Sequence, residues 1–137
     1  MAKQTKERVV VIGDGGWGTT LALLLHKKGV PVTLWSAFPA HAAELKAQRE
    51  NVRYLPGIAL PADFAVTADA MTAARGATLA VSVVPTQFLR KVAETFEDAL
   101  EGEVPIVSAT KGIEIETFKT PSEILAEVLG ERPTAVL

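Results

Sequence analysis

The sequence contains no cysteine among its 137 residues. This absence excludes disulfides, a thiolate nucleophile and a zinc site built from cysteines. Histidine is scarce as well, and because His26 and His41 are far apart in the sequence we expect no metal site. Neither sign of charge dominates, since 14 basic and 16 acidic residues leave a net charge of −2. This balance argues against nucleic acid or an anionic membrane as a partner.

The sequence also lacks a long hydrophobic run near its start. Residues 1–8 are basic, but the apolar run behind them is only Val9–Ile12. A signal peptide needs roughly 7–15 apolar residues, and a transmembrane helix needs about 20. We therefore predict a cytoplasmic protein.

The composition is that of a folded domain. Hydrophobic residues make up 48% of the sequence and charged residues 22%, which excludes a disordered or low-complexity tail. A chain of this length is expected to form one domain that buries about two-thirds of its unfolded surface. We therefore treat residues 1–137 as a single domain.

Short apolar runs alternate with segments of helical periodicity, which predicts βαβ units over a parallel sheet. Four runs read as strands: Val9–Ile12, Val30–Trp35, Leu79–Val84 and Pro105–Ala109. Their nearly continuous apolar character is typical of strands covered on both faces. The predicted fold class is therefore α/β, a Rossmann-like doubly wound and mostly parallel sheet with helices on both faces.

Helices are predicted between these runs. The first carries Leu21, Leu24 and Leu25 and ends at Gly29, as a C-terminal glycine would end it. A polar, alanine-rich helix is expected over Ala40–Glu50. Residues four positions apart are expected to form the buried stripe of another helix: Phe88, Val92, Phe96 and Leu100. The order Thr120-Pro121-Ser122-Glu123 predicts a capped start for the last helix.

A glycine motif lies between the first strand and the first helix. Gly13-Asp14-Gly15-Gly16-Trp17-Gly18 matches G-x-G-x-x-G in the context that the motif requires. The first glycine permits a tight turn, the second lets the backbone approach a pyrophosphate, and the third allows close packing of helix on strand. The motif predicts dinucleotide binding. A turn that merely needs glycines, or a site for another nucleotide-like ligand, is the alternative.

Asp14 places a negative charge inside this motif. A carboxylate facing the pyrophosphate from about 5 Å would lose about 3 kcal/mol per unit charge at an effective dielectric of about 20. We therefore expect the Asp14 side chain to point away from the ligand, outward into solvent; the alternative is that Asp14 weakens the affinity for the ligand.

The end of the second strand is where such domains distinguish their cofactors. A carboxylate about 20 residues after the motif binds the ribose 2′-hydroxyl of NAD, whereas an arginine accepts the 2′-phosphate of NADP. The order Trp35-Ser36-Ala37-Phe38 supplies neither group, so the choice between NAD and NADP stays open. Phe38 either flanks the adenine or packs into the protein.

Four segments, in this order and spacing, resemble the bacterial-type glycerol-3-phosphate dehydrogenase family. They are Gly13–Ala22 (GDGGWGTTLA), Asn51–Pro61 (NVRYLPGIALP), Val83–Arg90 (VVPTQFLR) and Thr110–Glu114 (TKGIE). The resemblance covers essentially the whole chain from Val9 onward. It implies a Rossmann-like N-terminal domain, a helical C-terminal domain, and reduction of dihydroxyacetone phosphate to sn-glycerol 3-phosphate by NADH or NADPH. That product is a precursor of glycerophospholipids.

The resemblance also implies roles for individual residues. With the residues that end the second strand, the expected cofactor-binding set is Gly13, Gly15, Gly16, Trp17, Gly18, Ala37, Phe38, Pro85 and Lys111. Pro85 matches the edge of the nicotinamide region. Lys111 matches a lysine near cofactor and substrate, although without the resemblance it would be read as an exposed turn lysine. The family often has arginine where Ala37 stands, and its absence here favours NADH.

The resemblance places the general acid/base lysine in the C-terminal domain, beyond Leu137, so we expect no catalytic residue in this chain. Residues 133–137 read as the start of another strand, which suggests a fragment of a longer protein. That parent is expected to bind a small-molecule substrate and to form a homodimer. The fragment alone is expected to be inactive.

Two other functions remain open at this point. A related two-domain dehydrogenase acting on hydroxyacids would share the dinucleotide-binding half, and a non-catalytic module such as a redox sensor would also bind the dinucleotide. Asn51–Pro61 is expected to form a loop near the mouth of the active site. There Tyr54 either touches the ligand or packs the loop down.

Overall fold

The computed structural model describes residues 6–137 and contains two sheets and five helices. The strands are β1 (Val9–Ile12), β2 (Val32–Trp35), β3 (Glu50–Asn51), β4 (Leu55–Ala59), β5 (Ala65–Thr67), β6 (Leu79–Ser82), β7 (Ile106–Ser108) and β8 (Thr134–Val136). The helices are α1 (Gly16–Lys27), α2 (Pro39–Gln48), α3 (Ala70–Ala74), α4 (Thr86–Thr95) and α5 (Pro121–Leu129). None of the helices within residues 6–137 is long and apolar enough to cross a membrane.

The main sheet has six strands in the order β5-β2-β1-β6-β7-β8. Every neighbouring pair in it is parallel. The chain moves outward from β1 to one edge, returns to pair β6 with β1, and then moves to the other edge. The order of connection therefore reverses between β1 and β6, as in a doubly wound fold. The Rossmann-like prediction is confirmed.

Helices cover both faces of this sheet, because successive side chains of a strand point in opposite directions. Val9 and Val11 of β1 join one buried cluster with Ala22 of α1 and Leu45 of α2. The alternate residues of β1, Val10 and Ile12, join a second cluster with buried side chains of α3, α4 and α5. The apolar face of α1 is narrower than its leucines suggest, since Leu24 is 50% exposed.

The predicted stripe of α4 is wrong at its first position. Phe88 is 64% exposed, whereas Leu89, Ala93 and Phe96 are buried. A step of four residues turns an α-helix by about 400°, so a stripe with that spacing drifts by about 40° at each step. The chain also leaves the helix after Thr95, and a long stripe of this spacing therefore cannot follow one face.

The segment between α2 and β6 contains more regular structure than its sequence indicates. The expected loop over Asn51–Pro61 is instead largely an antiparallel hairpin of β3 and β4. Edge strand β5 and the five-residue helix α3 follow it. Asp69 caps α3 by accepting a hydrogen bond from the Thr72 N–H at 3.1 Å. The hairpin lies beside the glycine motif, where the Asn51 side chain donates to the Asp14 carbonyl oxygen at 2.9 Å.

Candidate functional site

The first and third glycines of the motif are fixed by contact with backbone. Gly13 has a φ of +119°, and a Cβ on it would lie 2.6 Å from the Val83 carbonyl oxygen. A Cβ on Gly18 would lie 2.0 Å from the Gly13 carbonyl oxygen. The turn after β1 can therefore pass under α1 and against the end of β6 only when both residues are glycine.

The second glycine has a different surrounding. Gly15 is the N-cap of α1 with a φ of −66°, and a Cβ on it would meet no atom of the described part of the chain within 4 Å. Within residues 6–137 no side chain caps α1, and its first turn contains no acidic residue. The free N–H groups and the positive end of the helix dipole therefore face open space, which is the arrangement that binds phosphate.

A cleft of about 470 Å³ lies beside this turn, at the carboxyl ends of the central strands. It is lined by Trp17, Val83, Val84, Pro85, Ala109, Thr110, Lys111 and Leu137. The glycine turn follows β1 and the lining residues Val83, Val84 and Pro85 follow β6, so the cleft lies next to the switch point between these two strands. Doubly wound sheets bind their ligands at this point. The structure thus brings together Trp17, Pro85 and Lys111, which the sequence analysis placed at the cofactor.

Asp14 does not point into solvent, and that prediction is wrong. Its Oδ2 lies 2.5 Å from Nδ1 of His41 in α2, and the two side chains are 12% and 6% exposed. The expectation failed because the partner is 27 positions away in the sequence. The imidazole thus holds the carboxylate in a buried pair.

Asn51 is a site residue that the sequence analysis did not single out. Its side chain is completely buried, and its Nδ2 donates to the Asp14 carbonyl oxygen at 2.9 Å and to Thr19 Oγ1 at 2.8 Å. Its Oδ1 accepts the Tyr54 N–H at 3.3 Å. One amide thus joins the glycine turn, α1 and the hairpin. Its place at the start of the second resembling segment was the available signal.

Tyr54 packs the hairpin against the glycine turn and α2, which is one of the two roles predicted for it. Its ring packs edge-on against His41 at 5.6 Å, and its carbonyl oxygen lies 2.7 Å from where a Cβ of Gly16 would be. The side chain nevertheless remains 54% exposed. The hairpin therefore requires glycine at position 16 and leaves the Tyr54 phenol free beside the turn.

Ala37 and Phe38 lie at the carboxyl end of β2, outside the residues that line the cleft. Both are exposed, and the Phe38 side chain is 69% exposed. The alternative that Phe38 packs into the protein is therefore wrong. The Gly13 N–H donates to the Trp35 carbonyl oxygen at 3.1 Å, which holds this segment next to the glycine turn.

Lys111 follows β7 and lies on the side of the cleft formed by α4. Its backbone carbonyl accepts the Thr86 hydroxyl at 2.5 Å, while its side chain is exposed. Three residues farther along the loop, Glu114 makes an ion pair with Arg90 of α4 at 2.9 Å. Within residues 6–137 no group of three histidine, aspartate or glutamate side chains is arranged to hold a metal ion.

Comparison with known proteins shows which family this chain is related to. The model of the family described as NAD-dependent glycerol-3-phosphate dehydrogenase N-terminus matches residues 8–137. The chain belongs to this glycerol-3-phosphate dehydrogenase family. It is 48% identical over 90% of its length to a glycerol-3-phosphate dehydrogenase [NAD(P)+] from Geobacter sp. strain M21. It is 45% identical over 89% of its length to the enzyme of that name from Chlorobium phaeobacteroides strain BS1.

A solved structure agrees with these relatives. The crystal structure of glycerol-3-phosphate dehydrogenase from Coxiella burnetii matches 96% of this chain with a TM-score of 0.89 and 32% sequence identity. The matched region is 40% of the Coxiella chain. The chain also spans only 37% of the Geobacter relative and 36% of the Chlorobium relative. It therefore corresponds to a little over a third of each longer protein.

Three of the four segments that resemble the glycerol-3-phosphate dehydrogenase family line one cleft in the structure, and the second packs against the glycine turn beside it. The first forms the glycine turn and the start of α1, and the second forms the hairpin against it. The third passes over Gly13 at Val83 and begins α4. The fourth carries Lys111 along the facing wall. Segments separate in sequence thus contribute to a single site.

The Arg90–Glu114 pair predicts a particular response to acid. Hydrogen bonds from Arg90, with help from Thr117, lower the pKa of Glu114 from 4.5 to about 2. A carboxyl whose pKa is lowered by folding stabilises the protein above its unfolded pKa, and this contribution is lost as pH falls toward the folded pKa. The Glu114→Gln variant is therefore expected to be less stable near neutral pH and to lose less stability between pH 4.5 and about 2.

Urea denaturation of both proteins at several pH values measures this difference. The free energy of unfolding of Glu114→Gln should still fall in acid, but less steeply than that of the wild type. It still falls because hydrogen bonds also lower the pKa of Asp69, Glu123 and Glu127. Glu101→Gln, which replaces an exposed carboxylate, serves as the control and should follow the wild-type profile. A free energy of unfolding that falls as steeply in acid for Glu114→Gln as for the wild type would contradict the role given to the Arg90–Glu114 pair.

Proposed function

We propose that this chain is the NAD(P)-binding domain of a longer dehydrogenase that reduces dihydroxyacetone phosphate to sn-glycerol 3-phosphate. The observation that carries this proposal is the glycine turn. Gly13, Gly16 and Gly18 are required by backbone contacts, whereas Gly15 leaves open space at an N-terminus of α1 that no side chain of residues 6–137 caps. Membership in the family supports the same function. The relatives contain further chain in which we place the substrate domain.

Three groups of this chain are suited to bind the cofactor and substrate. The first N–H groups of α1 would bind the pyrophosphate. Trp17 and Pro85, on the walls of the cleft, would contact the nicotinamide end. The Lys111 ammonium would pair with a phosphate or polarise the C2 carbonyl of the substrate. When bound, the nicotinamide supplies the hydride.

Reduction of the C2 carbonyl also requires a proton for the developing alkoxide. A positioned lysine acting as general acid is worth roughly 10²–10⁴ in rate. We assign that lysine to the part of the relatives that this chain does not span, and we assign no catalytic residue here. The domain alone should therefore bind the cofactor without turning over the substrate.

NADH is the expected cofactor, because Ala37 supplies no cation for the 2′-phosphate of NADPH. Phe38 is exposed beside it and would contact the adenine. We further propose that the longer protein is a cytoplasmic homodimer whose partner is this small-molecule substrate. Its activity with dihydroxyacetone phosphate, against hydroxyacids, separates this function from that of a related dehydrogenase or a non-catalytic module.

A thermal melt of the chain with each cofactor tests the proposal. A ligand at about 100 times its Kd adds about 2.7 kcal/mol of stability. For a domain of this size the expected shift in Tm is about 8 °C, at about 3 °C per kcal/mol. Sodium phosphate at equal ionic strength controls for general anion effects. A shift as large with NADPH as with NADH would overturn the preference, and no shift with either would overturn cofactor binding.

A further inference from the structure

The loop of residues 111–119 is attached to α4 by a set of side-chain contacts that the proposed function does not use. Besides the bond from Thr86, Gln87 binds the loop twice. Its Nε2 donates to the Ile113 carbonyl oxygen at 3.0 Å, and its Oε1 accepts the Ile115 N–H at 3.1 Å. The first turn of α4 therefore holds the loop backbone on the far side of Lys111.

Arg90, one turn farther along α4, makes the strongest of these contacts. Its Nε donates to Glu114 Oε1 at 3.0 Å and its Nη2 to Glu114 Oε2 at 2.9 Å. Its third nitrogen, Nη1, donates to Glu127 Oε1 of α5 at 3.2 Å. A two-pronged pair of guanidinium and carboxylate fixes orientation as well as distance. The Glu114 side chain is only 13% exposed.

The loop is also closed on itself at Glu114. The Glu114 N–H donates to the Lys119 carbonyl oxygen, and the Phe118 N–H donates to the Glu114 carbonyl oxygen, each at 2.9 Å. Arg90 therefore binds the residue at which the loop closes. A change at Arg90 should affect the position of the whole loop.

Lys111 lies between this attachment and a second fixed point at the end of β7. There the Ala109 N–H donates to the Ser82 carbonyl oxygen, and Thr110 Oγ1 donates to the Val84 carbonyl oxygen, both at 2.8 Å. The backbone on each side of Lys111 is thus held, while its side chain lines the cleft. The Lys111 side chain thus projects from a held backbone, which reduces the reorganisation that is needed when an anion binds.

We propose that Arg90 is a positioning residue for Lys111, acting through Glu114 to place the lysine for contact with an anionic group of the ligand. This inference rests on the proposed function, in which Lys111 faces the cofactor and the substrate phosphate. Arg90 itself does not line the cleft. Its effect on binding should therefore depend on the presence of Lys111.

A double-mutant cycle on NADH affinity tests this dependence. Lys111→Met is expected to weaken binding about fivefold, and Arg90→Gln by a similar factor, as for coupled neighbours. The double variant should bind as Lys111→Met does, because displacing a lysine that is already gone has no further effect. A merely structural role of Arg90 would instead make the two factors multiply, which would overturn the proposal.

Two further variants complete the cycle. Arg90→Lys keeps the charge but not the two-pronged geometry, and it should bind NADH nearly as weakly as Arg90→Gln. Arg53→Gln removes an exposed arginine whose pair with Glu44 spans 3.5 Å on the hairpin side, and it should bind as the wild type does. Unchanged NADH affinity in either Lys111→Met or Arg90→Gln would overturn the proposal.

A measurement without ligand separates this inference from the proposed function. Backbone NMR order parameters of Lys111 and Gly112 should be near those of rigid backbone, about 0.85, in the wild type and in Arg53→Gln. They should fall below about 0.6 in Arg90→Gln. Wild-type protein that binds no dinucleotide would overturn the proposed function alone. Order parameters that Arg90→Gln leaves unchanged would overturn the positioning role.

Discussion

Replacing Gly18 with alanine is expected to lower the free energy of unfolding by more than about 3 kcal/mol. The new methyl group would stand 2.0 Å from the Gly13 carbonyl oxygen. Because the Cβ position is fixed by the backbone of residue 18 and the oxygen belongs to the backbone of Gly13, no side-chain rotation can relieve the overlap. Either α1 must move off the sheet or the turn after β1 must change. The loss should occur although alanine favours a helix over glycine by up to about 1 kcal/mol.

Urea denaturation of the variant measures this loss. Leu24→Ala is the matched control, because it changes a half-exposed side chain in the same helix and should cost much less than Gly18→Ala. Gly18→Ala should also lose NADH binding, since the turn that faces the pyrophosphate would be displaced. A variant that unfolds at the wild-type urea concentration would show that α1 can lift from Gly13 at little cost.

Gly15→Ala, unlike Gly18→Ala, is expected to leave the fold intact. It should nevertheless weaken cofactor binding. The φ of −66° at this residue suits alanine, and the added methyl would meet no atom of residues 6–137 within 4 Å. Alanine is a poorer N-cap than glycine, which destabilises the helix, but it also lowers the entropy of the unfolded chain, which stabilises the fold. Because these two effects nearly cancel, the free energy of unfolding should change by less than about 0.5 kcal/mol. The methyl nevertheless occupies the space through which a pyrophosphate would reach the helix N-terminus.

We expect the Kd for NADH to rise more than about tenfold in Gly15→Ala, which corresponds to about 1.4 kcal/mol. Calorimetric titration measures the affinity, and a melt without ligand confirms that the fold is unchanged. Gly18→Ala loses binding through the fold and Gly15→Ala loses it at the site, so the two variants separate these causes. Wild-type affinity in Gly15→Ala would place the pyrophosphate elsewhere.

The parts of the fold that the sequence predicted are those with dense local signals. Strand β1, the glycine turn and the start of α1 are adjacent in sequence, and Gly13, Gly16 and Gly18 each have a stereochemical reason to be there. The capped start of α5 is equally local, with Thr120 and Glu123 three positions apart. Sequence patterns predict such elements because the interacting groups lie within one turn of each other.

The failures involve distant partners or short elements. The surroundings of Asp14 depend on His41, and the loop after Lys111 depends on an arginine 24 positions before Glu114. No local pattern specifies such pairs. Strand β5 has three residues and α3 has five, which is too short for periodicity to distinguish them from a loop.

The central position of β1 also determines when the site can exist during synthesis. The Arg8 N–H, just before β1, donates to a Thr78 hydroxyl 70 positions later. At about 5–20 residues per second, a ribosome needs about 4–14 seconds to make that length. Until then one side of β1 has no neighbour, and the Gly13 turn lacks the Val83 carbonyl against which it packs. The cleft therefore forms only after β6 and the residues that follow it have been synthesised and β6 has paired with β1.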